Sequence, residues 1–232
     1  MKICTFNVNS IRARKDLVLQ WLDHRSQDID VLCFQELKAE DGLFPHTEFE
    51  DLGYSCAVSG QKAYNGVAIC CKAGLQDVRK GFDDPRWDEQ KRSIAARVAD
   101  FTLVNLYVPH GGERGQDKFV FKLGWYERLI RFLEQNHSPD DPLLLVGDFN
   151  VAHADADVYS PEVLFDTPGT MPEEREAFSS LLGWGLTDIY RHFFPETQQF
   201  TWWGYMGGAI WNNEGMRIDY ALATAPLLER IR

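Results

Sequence analysis

The nine-residue stretch Pro142-Leu143-Leu144-Leu145-Val146-Gly147-Asp148-Phe149-Asn150 decides the fold of this chain. Its apolar first half predicts a short, fully buried β-strand, because such strands form continuous aliphatic runs. Asp148 and Asn150 are two residues apart, and in extended backbone side chains at that spacing leave the strand on the same face. We therefore expect a carboxylate and an amide side by side at the end of a rigid element, where the pair can hold a water molecule and take a proton from it.

Four other polar side chains end or interrupt apolar runs that lie far apart in the sequence: Asn7, Glu36, Tyr107 and Asp219. If these runs are neighbouring strands, the polar side chains converge at one edge of the sheets, where ligands commonly bind. Taken singly, a strand-end Asn is more often a turn residue and a strand-end Glu a solvated one. Their joint occurrence is what favours a site.

Strand and helix patterns follow one another irregularly. Runs of strand-forming residues cover 2–8, 30–34, 54–58, 66–71, 94–98, 102–107, 143–146 and 217–223. Helical spacing of apolar residues predicts core-facing helices around 17–22, 119–133 and 172–182. Since the runs 94–98 and 102–107 are separated by only three residues, a mixed layered sandwich is favoured over an alternating βα barrel. The irregular stretches 77–92, 110–117, 152–171 and 204–216 are predicted to be functional loops.

Length and composition predict a single domain over residues 1–232, with 44% apolar and 13% aromatic residues to form one core. The sequence has no apolar stretch long enough to span a bilayer, and its first residues are too soon polar for a secretion signal. Five cysteines without metal-ligand spacing predict buried free thiols in a reducing cytosol. We expect a cytoplasmic monomer without membrane contact, associated with the nucleoid if the source is a prokaryote.

The net charge of −11 argues against a non-specific nucleic-acid coat but leaves a nucleic-acid enzyme open, because a metal site itself uses carboxylates. Basic residues gather at 12–15, at 91–92 and at Arg114 with Lys118 and Lys122. Each cluster is either a solvated surface or a contact for phosphate.

Eight short motifs carry a resemblance to a known family. They are FNVNSIRAR at 6–14, QELK at 35–38, YNGVA at 64–68, YVP at 107–109, GDFNVAH at 147–153, GWGLTD at 183–188, TWW at 201–203 and RIDY at 217–220. In this order, along nearly the whole chain, they resemble the exonuclease III and apurinic/apyrimidinic (AP) endonuclease family of the endonuclease/exonuclease/phosphatase superfamily. The resemblance implies an α/β fold of DNase I type, a four-layer αββα sandwich of two mixed β-sheets with helices outside.

The resemblance also implies the activity: hydrolysis of phosphodiesters at abasic sites and 3′ ends of double-stranded DNA, with Mg²⁺, or Mn²⁺ in its place, as cofactor. Carried over by position, the catalytic residues are Asp148, Asn150, Tyr107 and Asp219. The metal residues are Glu36, Asn7, Asp148 and Asn150. The DNA-binding residues are Arg12, Lys38, Arg92, His110, Trp202, Met216 and Ile218, the last three lining a pocket for the extruded abasic sugar.

The chain departs from the family at its end. The family has a Ser-Asp-His motif followed by a final strand, and none of the six histidines before Arg232 stands in that context. We expect the natural protein to continue past Arg232, and residues 1–232 alone to have weak or absent catalysis. His110 stands where the family has Asn or Gln, and its imidazole keeps one donor for a phosphate.

Two alternatives remain open at the level of sequence. One is a phosphodiesterase of the same superfamily that acts on a lipid headgroup or another non-DNA substrate, since such relatives share the metal and water machinery. The other is a catalytically impaired protein that binds abasic DNA without turnover, which the missing histidine motif supports.

Overall fold

The computed structural model describes residues 1–25 and 28–232, and these form twelve β-strands and eight α-helices. The strands are β1 Ile3–Asn7, β2 Val31–Gln35, β3 Ser55–Ser59, β4 Val67–Cys71, β5 Gln76–Lys80, β6 Ser93–Val98, β7 Phe101–Tyr107, β8 Leu143–Asp148, β9 Leu186–Asp188, β10 Trp202–Trp203, β11 Gly215–Met216 and β12 Asp219–Thr224. The helices are α1 Ile11–Arg25, α2 His46–Asp51, α3 Pro85–Asp88, α4 Asp117–Asn136, α5 Pro172–Gly183, α6 Ile189–Phe193, α7 Ala209–Asn212 and α8 Ala225–Leu228. The chain divides into two compact units, Met1–Tyr107 with Pro142–Asp148, and Val108–Asp141 with Phe149–Arg232.

The first unit contains strands of two mixed sheets. In one, the order is β1-β2-β4-β3, with β1 and β2 parallel and the other neighbours antiparallel. In the other, β5, β6 and β7 are antiparallel neighbours, and β7 pairs in parallel with β8. Parallel pairing places the carboxyl ends of β1 and β2, and of β7 and β8, at common edges.

A buried amide pair links the two sheets of the first unit. Asn105 of β7 donates to the carbonyl oxygens of Phe34 and Ala68, each at 2.9 Å, and accepts from Gln35 Nε2 at 2.6 Å. Because a buried amide without partners is costly, these bonds favour one alignment of β7 over β2 and β4. The sheets are thus held in register directly beneath the ends of β2 and β7.

Gly147 fixes how closely β7 and β8 approach. A Cβ at this position would lie 2.0 Å from the carbonyl oxygen of Leu106, and the backbone has φ 133°. Only glycine tolerates both conditions. The tight approach sets Tyr107 beside Asp148 in the parallel register, so the two side chains leave neighbouring strand ends.

The second unit contains the long helices α4 and α5 and two short antiparallel pairs, β9 with β12 and β10 with β11. Its core surrounds Phe149, Phe178 and Tyr220, whose rings contact one another. The buried hydroxyl of Tyr220 donates to the carbonyl oxygen of Val151, and that of Tyr126 to Phe149. These bonds hold the segment that follows β8.

Most predicted elements are confirmed, with three corrections. The stretch 77–92 is not an irregular loop, because it contains most of β5 and all of α3. The stretch 204–216 is not one either, because it contains α7 and β11. The predicted core-facing side of the helix around 17–22 is only partly buried: Val18 and Leu22 are buried, whereas Leu17 and Trp21 are exposed. The expectation of a single domain stays a prediction. Within the described residues, the helices are all too short or too polar to cross a bilayer.

The expectation of five free thiols is wrong for one pair. Cys56 and Cys70 form a disulfide, while Cys4, Cys33 and Cys71 are free. The reason is register: Cys56 of β3 lies directly opposite Cys70 of β4, with Cα atoms 4.0 Å apart. The two cysteines are 14 residues apart, and a spacing of that length does not show in the sequence that they become neighbours across two strands.

Candidate active site

Four predicted site residues of the first unit meet at the strand ends. The Asn7 Nδ2 amide donates to Glu36 Oε1 and to Asp148 Oδ2, each at 2.9 Å. The Tyr107 hydroxyl donates to the same Glu36 oxygen at 2.9 Å. One amide therefore bridges two carboxylates that come from different sheets, and both of its hydrogens are used.

The backbone that presents Glu36 is unusual. Glu36 and Lys38 both have φ 51°, in the left-handed region of backbone conformation that residues other than Gly and Asn rarely adopt. Three backbone hydrogen bonds hold this turn: Ser10 N–H to Glu36 O at 2.7 Å, Leu37 N–H to Gly66 O at 3.1 Å, and Lys38 N–H to Asn65 O at 2.8 Å. Such outliers persist where surrounding contacts over-determine them, and they cluster at functional sites.

Neighbouring groups keep Glu36 ionised. Burial opposes its charge, but hydrogen bonds from Asn7, Lys38 and Tyr107 outweigh burial and lower the pKa of the carboxyl. Lys38 Nζ lies 2.9 Å from Glu36 Oε2 and donates to Asn9 Oδ1 at 2.5 Å. Burial, then the Glu36 charge, raises the pKa of Tyr107, so its hydroxyl remains a donor at neutral pH.

Arg92 adds positive charge beside this cluster. Its guanidinium lies over the Tyr107 ring, 4.6 Å from the ring centre, and donates to the Tyr107 carbonyl at 3.2 Å. Burial lowers its pKa, but an arginine remains charged at neutral pH. Arg12, in the first turn of α1, is exposed. Both cations are thus in the first unit, together with the carboxylate cluster.

Six predicted site residues belong to the second unit, and two of them are Asn150 and His110. Asn150 is mostly buried, and its side-chain amide donates to the carbonyl oxygen of Val108 at 2.8 Å. The argument from extended backbone is wrong here, because β8 ends at Asp148 and Asn150 has φ 51°. The His110 ring is exposed and its Nδ1 accepts from the Gly112 amide at 3.3 Å.

The predicted sugar-pocket residues lie on the β10–β12 segment of the second unit. Met216 and Ile218 form a small apolar cluster with Ala152 and Val158, and Trp202 pairs with Met216 across β10 and β11. Trp202 is 41% exposed, so its indole is open to a ligand from one side. Asp219 begins β12, and its backbone amide donates to Thr201 Oγ1 at 3.1 Å.

Comparison with known proteins shows the family of the chain. Residues 4–232 match the Endonuclease/Exonuclease/phosphatase family. The chain belongs to this family. Exodeoxyribonuclease III of Haemophilus influenzae is 34% identical over 242 residues, covering 99% of this chain and 90% of that protein.

Solved structures place the chain in the exonuclease III and AP endonuclease branch of the family. An AP endonuclease from Archaeoglobus fulgidus superposes with a TM-score of 0.93 at 37% identity, over 99% of this chain and 88% of that one. A 3′ phosphatase from Neisseria, solved with a product DNA hairpin, gives 0.92 at 37% identity over the same shares. The predicted fold, a DNase I-like α/β sandwich of two mixed sheets, is confirmed.

The oxygen donors fit the cation that this family implies. Within residues 1–25 and 28–232, no group of three or more His, Cys, Asp and Glu side chains could hold a metal ion. Mg²⁺ does not need one, because it keeps several waters and is commonly bound through one or two carboxylates. Glu36 and Asp148, held together by the Asn7 amide, supply that number. A zinc-type cage, by contrast, does not fit these residues.

Sequence reasoning missed several residues that support the family's site. Asn105 and Gln35 lie beneath it, and Asn9 accepts from Lys38. The expectation that Lys122 is part of a basic surface cluster is wrong, since its side chain is fully buried against Glu174. The signal was present: Lys122 follows Phe119 by three residues and precedes Tyr126 by four, so it lies on the apolar face of α4.

Proposed function

We propose that the protein is a Mg²⁺-dependent DNA repair nuclease that hydrolyses phosphodiesters at abasic sites and at 3′ ends of duplex DNA. The observation that carries the proposal is the Asn7 amide that joins Glu36 and Asp148, with the Tyr107 hydroxyl on the same Glu36 oxygen. A carboxylate kept ionised beside a second, oriented carboxylate is what a hard cation and an attacking water require.

Relatives support the DNA branch of the family. The chain is similar to an exodeoxyribonuclease III, to an AP endonuclease and to a 3′ phosphatase bound to a DNA hairpin. A phosphodiesterase with a lipid substrate is therefore the weaker hypothesis. Lys38, beside Glu36, and Arg92, over the Tyr107 ring, supply cations for the DNA backbone.

The reaction that these residues support is a displacement at phosphorus. Mg²⁺ bound at Glu36, with Asn7 and Asp148 beside it, would supply Lewis acidity to a phosphoryl oxygen. Asp148 takes a proton from water, the water oxygen bonds to phosphorus, and the bond from phosphorus to the leaving sugar oxygen breaks. That oxygen then takes a proton from solvent. The amide of Asn7 holds one Asp148 oxygen and so fixes the orientation of the carboxylate. The Tyr107 hydroxyl, which stays protonated, donates a hydrogen bond to the phosphate or to Glu36.

Lesion recognition rests on the second unit. An abasic nucleotide has lost its base stacking, so extruding its sugar costs less than flipping an intact nucleotide. Met216 and Ile218 are buried in a small apolar cluster, and Trp202, which pairs with Met216, presents a partly exposed indole. Such a surface suits a bare deoxyribose. His110, exposed before Gly111, contributes an imidazole donor for phosphate.

The test is cleavage of an end-labelled duplex that carries one abasic site, alongside the intact duplex and a duplex with a recessed 3′ end. We expect slow product with Mg²⁺ and none with EDTA. Product in EDTA would reject the mechanism, and tight binding without product in any metal would favour the impaired binder. A parallel arm without turnover measures Mn²⁺ binding by electron paramagnetic resonance. Glu36→Gln should weaken binding at least tenfold, whereas Glu48→Gln, which removes a partly exposed carboxylate paired with Lys15, should not.

A further inference from the structure

A fully buried ion pair lies in the second unit, apart from the carboxylate cluster. Lys122 of α4 and Glu174 of α5 are both completely inaccessible, with Nζ and Oε1 2.5 Å apart. Removing two charges from water is costly, and well-packed apolar residues often give equal or greater stability. Stability alone therefore does not account for the pair. The other hydrogen bonds of the two side chains indicate what the pair does.

The ammonium of Lys122 reaches the backbone of two candidate site residues. It donates to the carbonyl oxygen of Asn150 at 2.6 Å and lies 3.3 Å from that of His110. With Glu174, these acceptors account for the three donors of an ammonium. Asn150 has φ 51°, and its side-chain amide is held by the Val108 carbonyl. Lys122 thus anchors the backbone of Asn150 while Val108 anchors its side chain.

The carboxylate of Glu174 extends the anchor to the next loop. Its Oε2 accepts the backbone N–H of Gly169 at 2.7 Å and of Met171 at 3.1 Å. The Gly169 carbonyl in turn accepts the N–H of Ala152 at 2.7 Å. The ion pair therefore holds the chain directly at Asn150 and, through this loop, at Ala152.

The Lys122 side chain has little room to move. A Cβ on Gly111, which follows His110, would lie 2.6 Å from Lys122 Cδ and 3.6 Å from Glu174 Oε1. The stem of the lysine is thus packed under the backbone of the 110–112 segment. The aliphatic part of Lys122 is close-packed and its ammonium donors are all used, so neither a rotamer change nor water can replace these contacts. The side chain is therefore a rigid support.

We propose that Lys122, paired with Glu174, is a positioning residue for Asn150, a predicted site residue of the same unit. It touches neither substrate nor metal. The proposal rests on the proposed nuclease function, in which Asn150 is a site residue. Lys122 sets the geometry of Asn150, so loss of the ammonium lowers turnover without lowering affinity for DNA.

The first measurement follows Asn150 itself and needs no turnover. Selective ¹⁵N-asparagine labelling reports hydrogen exchange of side-chain amides in the whole protein. In Lys122→Met/Glu174→Gln, which removes both charges at similar volume, we expect the Asn150 amide to exchange at least about tenfold faster. The Asn136 amide, bonded to Phe132 at the end of α4, is the internal reference and should not change. Arg131→Met, which removes an exposed cation from the same helix, is the matched control and should leave both amides unchanged.

The second measurement separates positioning from general damage. With abasic duplex, the double variant should lose about tenfold to a hundredfold in kcat, the scale of a small misplacement, with Kd for DNA changed less than about twofold. In an Asn150→Ala background the same two substitutions should cost less than about twofold more. An unchanged Asn150 amide, or an equal loss of kcat in both backgrounds, would overturn the proposal. If the wild-type protein did not cleave DNA, the proposed function would fail, and the exchange of the Asn150 amide would still decide the anchoring.

Discussion

Replacing Gly147 with alanine should destabilise the first unit strongly, although the change adds a single methyl group. The added Cβ would lie 2.0 Å from the Leu106 carbonyl oxygen, 2.9 Å from its carbon and 3.0 Å from its nitrogen. All three atoms belong to the backbone of β7, so no side-chain rotation relieves the contact. The residue also has φ 133°, where an L side chain is strained.

The expected cost can be estimated from these two effects. Strained backbone at a non-glycine residue costs about 1–3 kcal/mol. Separation of β7 from β8 at Leu106 and Gly147 loses ladder hydrogen bonds worth about 1 kcal/mol each. A total of about 3–5 kcal/mol corresponds to a fall in Tm of roughly 6–20 °C for a protein of this size. The strand end that carries Asp148 would shift with it.

Thermal unfolding followed by circular dichroism measures this loss. Gly183→Ala is the control, because its Cβ would meet nothing within 4 Å and the residue lies at the end of α5. Alanine there should change stability by less than about 1 kcal/mol, and in the favourable direction. If Gly147→Ala melted within about 2 °C of wild type, the close approach of β7 and β8 would not be the reason for glycine, and the placement of Tyr107 beside Asp148 would need another cause.

Three further predictions concern the site and the cysteines. Asp148→Asn should lower turnover on abasic duplex by at least about a hundredfold with DNA affinity largely intact, and near-normal turnover would remove Asp148 from the role of base. Asn7→Ala should make the loss of Mn²⁺ binding on acidification, the acidic limb, begin at higher pH. The ionised Glu36 is the ligand, and the hydrogen bond from Asn7 helps to lower the pKa of its carboxyl against burial. Without that bond, Glu36 takes up its proton at higher pH. The titration must start well below the ordinary glutamate pKa of about 4.3, at roughly pH 3, because the Glu36 pKa is lowered; an unmoved limb over that range would contradict the prediction. Alkylation of the denatured protein should count three thiols before reduction and five after, since only Cys56 and Cys70 are bonded; five thiols before reduction would show that the cross-strand bond does not form.

The meeting of Asn7, Glu36, Tyr107 and Asp148 could be predicted from sequence because one physical rule covers all four. Each lies at or just beyond the end of an apolar strand, and apolar strands are forced into the core while their polar ends remain at its edge. The rule assumes only that these strands lie beside one another in their sheets, not the full strand order. It therefore placed the carboxylates correctly without the topology.

Other features depend on which strands become neighbours, and a single sequence does not give that. The β5 strand, Gln76–Lys80, is mostly polar and exposed, so it has no apolar signature, and only its pairing with β6 makes it a strand. The Cys56–Cys70 bond depends on the register of β3 with β4. The alternation argument failed at Asn150 because the backbone leaves the strand one residue after Asp148 and adopts positive φ.

The left-handed residues near the site connect stability with function. Asparagine adopts this conformation readily, whereas glutamate and lysine do not. The backbone strain at Glu36 and at Lys38 therefore costs about 1–3 kcal/mol each, which glycine would avoid. Glycine at either position would remove a side chain that the cluster uses: Glu36 accepts from Asn7 and Tyr107, and Lys38 bridges Glu36 and Asn9. The backbone hydrogen bonds of Leu37 and Lys38 to the 65–66 segment offset part of the strain. The turn after β2 is therefore explained by what its side chains hold, since on stability alone glycine would serve better at both positions.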